Sequence, residues 1–292
     1  MISGRTILIA HLGDPTDSFK APLIFNPWFA KAGIDAAIVP MGVKTEDYPN
    51  FLRSLFRLTN IRGALVTMPH KVTTVALVDD VSTAVRVAGS CNAILKRADG
   101  TLFGDMFDGV GFTRSLKRKG FSIADANCLV AGAGGVGSAI AAAIAAEYPR
   151  SIALSDISVG SAQKLAARLR QHHPTLSVDI AGNDPAGFDL VVNATPLGMK
   201  SDDPLPIDVS RLNRDSFVAE VVMAEEMTPL LKAAAARGCQ FQTGLDMLFE
   251  QIPAYLEFFG FSAATAEELR AMAKLGSDPI ARAPEIGEGR SR

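Results

Sequence analysis

Short apolar runs alternate with longer stretches of helical periodicity along nearly the whole chain. That alternation predicts an α/β fold. In the first third, Thr6–Ala10, Ala36–Val39 and Ala64–Thr67 read as strands, and Phe51–Leu58 and Val72–Val78 as parts of helices. Cys91–Leu95 and Thr101–Phe103 flank the polar turn Arg97-Ala98-Asp99-Gly100, which predicts a hairpin. A helix then opens at Asp108 and runs to about Lys119.

A second run of the same kind follows. Cys128–Ala131, Ile152–Ser155, Ser177–Ile180, Leu190–Asn193, Phe217–Val221 and Cys239–Gln242 read as strands, with helices at Val136–Glu147, Ser161–Arg170 and Pro229–Arg237. Wholly apolar strand runs such as Leu190-Val191-Val192 suit a parallel sheet buried on both faces. Two more helices, Asp246–Phe259 and Ala264–Lys274, close the pattern. Beyond Gly276 the periodicity stops, so 276–292 reads as a flexible tail.

Composition narrows the class. Apolar residues make up 48% of the 292 and charged ones 21%, which excludes a largely disordered chain. A net charge of -2 offers no field for nucleic acid. The densest basic cluster, Arg114 to Lys119, reads as a solvated helix face. Cys91, Cys128 and Cys239 form no CxxC pair; free thiols point to a reducing, cytoplasmic setting. The 21 uncharged residues between Asp125 and Glu147 are long enough to span a bilayer, but four glycines break them into strand, turn and helix. His11, His70, His172 and His173 are not spaced with carboxylates as a ligand set, so no metal is expected.

That glycine run carries the clearest chemistry. In Val130-Ala131-Gly132-Ala133-Gly134-Gly135-Val136-Gly137 it follows an apolar strand and opens an Ala-rich helix. Gly132 permits the tight turn, Gly134 the approach of a pyrophosphate, and Gly137 close packing of helix on strand. Gly135 and Val136 would present helix N-terminal N–H groups to the phosphates. Asp156, 19 residues after Gly137, ends the next strand where a carboxylate accepts from the adenosine ribose. No Arg or Lys between Ser151 and Gln163 is present to bind a 2′-phosphate, so NAD is expected over NADP.

Lys71, in Val66-Thr67-Met68-Pro69-His70-Lys71, and Asp108, in Gly104 to Gly111, both sit in loops at strand ends, where sites tend to be built. Taken with Gly13-Asp14-Pro15 through Asn26, Cys91-Asn92-Ala93, Asn193-Ala194-Thr195-Pro196-Leu197-Gly198-Met199, Thr228-Pro229-Leu230-Leu231 and Gly244 through Gln251, these motifs resemble the shikimate/quinate dehydrogenase family, in the family's order, over residues 5 to about 272. The resemblance implies hydride transfer between a ring carbon and a nicotinamide, with Lys71 as acid/base, Asp108 as its partner, and Thr67, Asn92 and Gln251 on the reacting and adjacent hydroxyls. It also implies cofactor contacts from Asn193, Ala194, Thr195, Gly244 and Met247. Because Gln251 follows the nucleotide segment, the last helices must return to the first domain. Residues 1–112 with 246–275 are then the substrate domain, 113–245 a Rossmann-like NAD domain, and the site a cleft between them.

The chain departs from the family at one end of that cleft. The two serines expected at the substrate carboxylate are Phe19 and Ala21; the expected asparagine is Leu65; Asn-Thr before the aspartate is Met106-Phe107; a tyrosine is Met223 and an aspartate Glu220. Losing two hydrogen bonds to a charged group weakens binding by roughly 10²–10⁴, unless Ser18 or Thr16 compensates. The expectation is a divergent enzyme acting on a cyclic hydroxy compound with a less polar far end, as a monomer or homodimer. A genuine shikimate or quinate dehydrogenase stays open. So does a non-catalytic NAD or metabolite sensor, against which the retained Lys71 and Asp108 argue.

Overall fold

The alternating pattern resolves into two sheets. The computed structural model describes residues 2–200 and 202–273; the expected tail at 276–292, and Lys274 at the end of the last expected helix, lie outside them. In chain order the elements are β1 (Ile7–Gly13), α1 (Pro22–Ala32), β2 (Ala36–Gly42), α2 (Tyr48–Leu55), β3 (Ile61–Val66), α3 (Lys71–Thr74), β4 (Asp80–Val81), α4 (Thr83–Ala88), β5 (Ala93–Lys96), β6 (Leu102–Asp105), α5 (Asp108–Arg118), β7 (Asn127–Ala131), α6 (Gly135–Ala145), β8 (Ser151–Ser155), α7 (Val159–His172), β9 (Ser177–Ile180), β10 (Leu190–Asn193), β11 (Phe217–Glu220), α8 (Pro229–Ala236), β12 (Gln240–Gln242), α9 (Gly244–Phe258) and α10 (Ala266–Met272).

The first sheet has the order β2-β1-β3-β5-β6-β4. β1 runs parallel to β2 and β3, and the expected hairpin forms as antiparallel β5 and β6 with Ile94 opposite Gly104. The second sheet, β12-β11-β10-β7-β8-β9, is parallel throughout. Counted within this half, that is the 3-2-1-4-5-6 strand order of dinucleotide-binding sheets, with its switch point between β7 and β10. The uncharged stretch after Asp125 divides into β7, a turn and α6, and no helix among the described residues is long and apolar enough to cross a membrane.

Three expectations change in the first half. Residues 13–26, to which the hydrophobic pattern assigns no helix, become helical from Pro22, a residue suited to a first helical turn because its missing N–H has no partner there anyway. Asn26 then clamps α1 to the edge strand: its Nδ2 donates to the Ile38 carbonyl at 3.0 Å and its Oδ1 accepts from the Ile38 N–H at 2.8 Å. The helix expected over Val72–Val78 is only the single turn α3, and that expected over Phe51–Leu58 begins three residues earlier, at Tyr48.

Helix α5 is the seam between the halves. A Cβ on Gly109 would stand 2.5 Å from the Ala139 carbonyl oxygen on α6; one on Gly111 would stand 2.6 Å from the Met247 carbonyl oxygen on α9. The boundary expected at 112/113 thus falls inside a helix packed on both sides. The basic cluster is exposed as expected, yet it pairs: Arg118 with Glu250 and Glu267 at 2.8 Å, Lys119 with Asp246 at 3.0 Å. Such pairs contribute little singly, and the apolar core is the stronger tie. One cluster is continuous from Ala10 and Ile94 through Phe112 and Ile140 to Val130 and Val192. A second lies under α1, α9 and α10.

Candidate active site

β3 delivers a turn that ends at Lys71, and the β5–β6 hairpin delivers Asp108 in the first turn of α5. The two meet: Lys71 Nζ donates to Asp108 Oδ2 at 2.5 Å, with the residues only 8% and 4% exposed. Asp108 Oδ1 accepts from Asn92 Nδ2 and from Gln251 Nε2, each at 2.8 Å. The positive end of the α5 dipole further favours a carboxylate there. Asn92 Oδ1 accepts the Phe107 N–H at 2.9 Å, so one side chain seats both the aspartate and the helix that carries it. Four of the residues singled out in the sequence therefore form one hydrogen-bonded cluster drawn from four segments.

Tyr255 belongs to it, although no sequence motif marks it. Its hydroxyl oxygen accepts from Gln251 Nε2 at 2.9 Å, and burial pushes its phenol well above the usual range. It stands one turn beyond Gln251 on α9, a spacing that the sequence does carry. The neighbouring candidates are structural. Cys91 donates to the Ala93 carbonyl, and burial pushes its thiol up to about 12, away from the reactive thiolate. His70 is fully buried, bonds the Val43 carbonyl through Nε2 at 2.8 Å, and lies flat on Tyr48.

The glycine turn has the tight backbone geometry that its spacing implies. Gly132 has φ 103°, and a Cβ there would meet the Ala194 carbonyl oxygen at 2.6 Å; a Cβ on Gly137 would collide with the Gly132 carbonyl oxygen. Gly134 faces open space, where an added methyl group would meet nothing within 4 Å, at the start of α6 where N–H groups lack helical partners. Val136 is half-buried on the same turn. Gly135 faces the lysine: a Cβ would stand 3.2 Å from Lys71 Cβ, and the Gly135 carbonyl accepts from Ser90 Oγ at 2.8 Å. Ser90, which no motif marks either, ties the turn to the lysine's own half of the chain.

Asp156 holds this turn from the far side. Its Oδ2 accepts the Ala133 N–H at 2.6 Å and its Oδ1 the Ser158 N–H at 2.7 Å, while Ser158 itself caps α7. The loop at Asn193, Ala194 and Thr195 abuts Gly132 across the switch point. Asn193 is fully buried and committed: Nδ2 donates to Glu220 and Leu197, and Oδ1 accepts from the Thr195 N–H and hydroxyl. Glu220, buried with it, also accepts from Thr228 and two backbone N–H groups; burial raises its pKa against those bonds. Asn193 thus shapes the loop, leaving Ala194 and Thr195 half-buried at its rim. Gly244 opens α9 under Met223, whose Cγ a Cβ would approach to 2.8 Å, and Met247 is buried against α5.

The residues that depart from the family's pattern near the chain's start and at 106–107 pack against aromatic or apolar neighbours. Phe19 stacks on His11 with ring centroids 4.0 Å apart and reaches across Gly13, where a Cβ would meet Phe19 Cζ at 2.8 Å and Thr67 Cγ2 at 2.5 Å. Ala21 and Leu65 are buried at 7% and 3% exposure. Ser18 is exposed, and the Thr16 methyl lies toward Gly42. Met106 is buried in the core, and Phe107 packs edge-on against Tyr255.

Comparison with known proteins agrees with this geometry. The family profile described as shikimate dehydrogenase substrate binding domain matches residues 12–94. The shikimate dehydrogenase (NADP(+)) of Rhodospirillum rubrum is 34% identical over 278 residues, covering 93% of this chain and 98% of that protein. Among solved structures, shikimate 5-dehydrogenase from Listeria monocytogenes in complex with shikimate and NAD superposes with a TM-score of 0.84 at 25% identity, over 92% of this chain and 97% of that one. The 5-ketofructose reductase of Gluconobacter sp. strain CHM43 superposes with a TM-score of 0.81 at 26% identity, over 92% and 99%. With a dehydrogenase relative matched from end to end and the Lys71–Asp108 cluster beside a dinucleotide turn, the chain belongs to the shikimate/quinate dehydrogenase family, oxidoreductases acting on a CH–OH group.

Proposed function

We propose that this protein interconverts a ring hydroxyl and a ketone with NAD, on a substrate that differs from shikimate at the carboxylate end. The observation that carries the reading is the packing of the Lys71 stem against Gly135, which sets the lysine beside the glycine turn while its amine reaches Asp108. The nicotinamide, when bound, accepts or supplies the hydride. Lys71 takes the hydroxyl proton as the alcohol is oxidised and returns it in reduction, while Asp108 holds the amine in place. Asn92 and Gln251 fix Asp108 and, together with Thr67, line the place of the reacting and adjacent hydroxyls. Positioned acid/base catalysis of this kind contributes roughly 10²–10⁴ in rate.

In this reading residues 1–112 with 246–275 hold the substrate and 113–245 hold NAD. The NAD preference rests on Asp156, whose carboxylate repels a 2′-phosphate, and on the uncharged, fully exposed Ile157 beside it. The altered substrate rests on Phe19, Ala21 and Leu65, which bring no donor to a carboxylate. The 5-ketofructose reductase of similar fold is, by its name, an enzyme of a keto sugar. Three buried free thiols fit a reducing, cytoplasmic setting.

A second reading, a genuine shikimate dehydrogenase, is favoured by the curated relatives, which carry that name and use NADP. Turnover of shikimate, quinate and carboxyl-free cyclic alcohols with NAD and with NADP decides between them. The altered-substrate reading expects the carboxyl-free alcohols with NAD to lead. Shikimate turnover within about tenfold of ordinary family enzymes, as the second reading expects, contradicts it.

A further inference from the structure

His11 lies on β1, in register with Leu65 on β3 and Pro40 on β2. Successive strand residues point to opposite faces. Ile9 and Leu65 pack under α1 and α9, so His11 looks to that face, the one Phe19 covers. Its ring is 8% exposed, and its Nδ1 is buried with no hydrogen-bond partner. A buried ring nitrogen left unpaired is costly and calls for a partner that the free protein does not supply. The ring is neutral: burial, then the charge of Lys71, lowers its pKa to about 3. The influence of Lys71 also places the ring within electrostatic reach of the reacting end of the cleft.

Beside the ring lie the face of Phe19 and, on the neighbouring strand, Leu65, while Phe19 and Thr67 both close on Gly13. None carries a positive charge. Lys71, whose charge is felt at the ring, is already paired with Asp108. Phe19, Leu65, Gly13 and Thr67 offer a carboxylate no counter-charge, whereas an uncharged oxygen would find a hydrogen-bonding group among them.

We propose that His11 is a specificity-determining residue whose Nδ1 hydrogen-bonds an uncharged hydroxyl or carbonyl oxygen at the end of the substrate remote from Lys71. This deepens the altered-substrate reading above and rests on it. The aromatic stack fixes the ring, and the imidazole replaces two hydroxyls suited to an anion with one bond suited to a neutral group. The substrate class is then a polyhydroxylated ring without a carboxylate.

The test compares shikimate with its analogue in which the carboxylate is reduced to a hydroxymethyl group, in the wild type, His11→Leu and His11→Asn. The wild type is expected to favour the neutral analogue in kcat/KM; a preference for shikimate overturns the altered-substrate reading itself. His11→Leu is expected to lose about tenfold or more on the analogue, chiefly in KM, and to collapse the preference. His11→Asn, which keeps a polar atom near the Nδ1 position, is expected to restore part of it. A wild type that favours the analogue alongside a His11→Leu enzyme with the same preference overturns the role of His11 alone. A second readout needs no variant: adding the analogue to the NADH complex, which cannot oxidise NADH with an alcohol, is expected to shift the His11 Nδ1 resonance in ¹⁵N-histidine NMR. An unmoved resonance at saturating analogue overturns the proposal.

Discussion

Gln251 donates to the same oxygen of Asp108 that accepts from Asn92, across 143 residues of chain. The bond makes the return of α9 to the first half a part of the site, since α9 both packs on α5 at Gly111 and orients the aspartate at its start.

Gln251→Leu keeps the bulk and removes the donor. A hydrogen bond to a charged group contributes about 1.5–3 kcal/mol. The variant is expected to lose roughly tenfold to a hundredfold in kcat/KM, with the loss appearing in kcat as Asp108 holds Lys71 less firmly. Steady-state kinetics with NAD saturating checks it.

The glycines of the dinucleotide turn separate folding from binding. A methyl group on Gly134 meets nothing within 4 Å, while one on Gly137 collides with the Gly132 carbonyl. Gly134→Ala is expected to stay within about 0.5 kcal/mol of wild-type stability yet bind NAD at least about tenfold more weakly. Gly137→Ala is expected to cost about 1–3 kcal/mol of stability, as overpacked sites do. Chemical denaturation and NAD titration of the two variants check the contrast.

His11 gives the fold a signature in acid. Its folded pKa, about 3, lies below the ordinary 6.5, so the fold prefers the neutral ring. Stability from this group is complete above pH 6.5 and is lost as pH falls from 6.5 toward 3. At pH 4.5 the loss is about 2–3 kcal/mol by linkage. Unfolding curves of wild type and His11→Asn at pH 7 and 4.5 are expected to show that much less acid sensitivity in the variant.

The second half is readable from sequence almost to the residue, because parallel strands buried on both faces leave compact apolar runs. Leu190–Asn193 falls where the pattern puts it. In the first half α1 is hidden because it is apolar on most sides and carries Pro22 and Pro27, which read as breakers. α4 has its signals, a Ser82 cap and Gly89 with φ 66°, but only six residues between them. The lysine, aspartate, asparagine and glutamine of the site are legible as motifs. The role of Gly109 and Gly111 is not, because it depends on where α6 and α9 cross α5. His11 reads in the sequence only as an unsuitable metal ligand, although alternation along β1 with Ile9 and Gly13 is enough to place it under the substrate loop.

The central claim is that Lys71 moves the proton while the glycine turn beside it holds NAD. Lys71→Ala, assayed on the best substrate with NAD binding measured in parallel, tests it most directly. The account expects kcat to fall by at least roughly 10²–10⁴ with NAD affinity near that of the wild type. Near-normal turnover of that substrate by Lys71→Ala would contradict it.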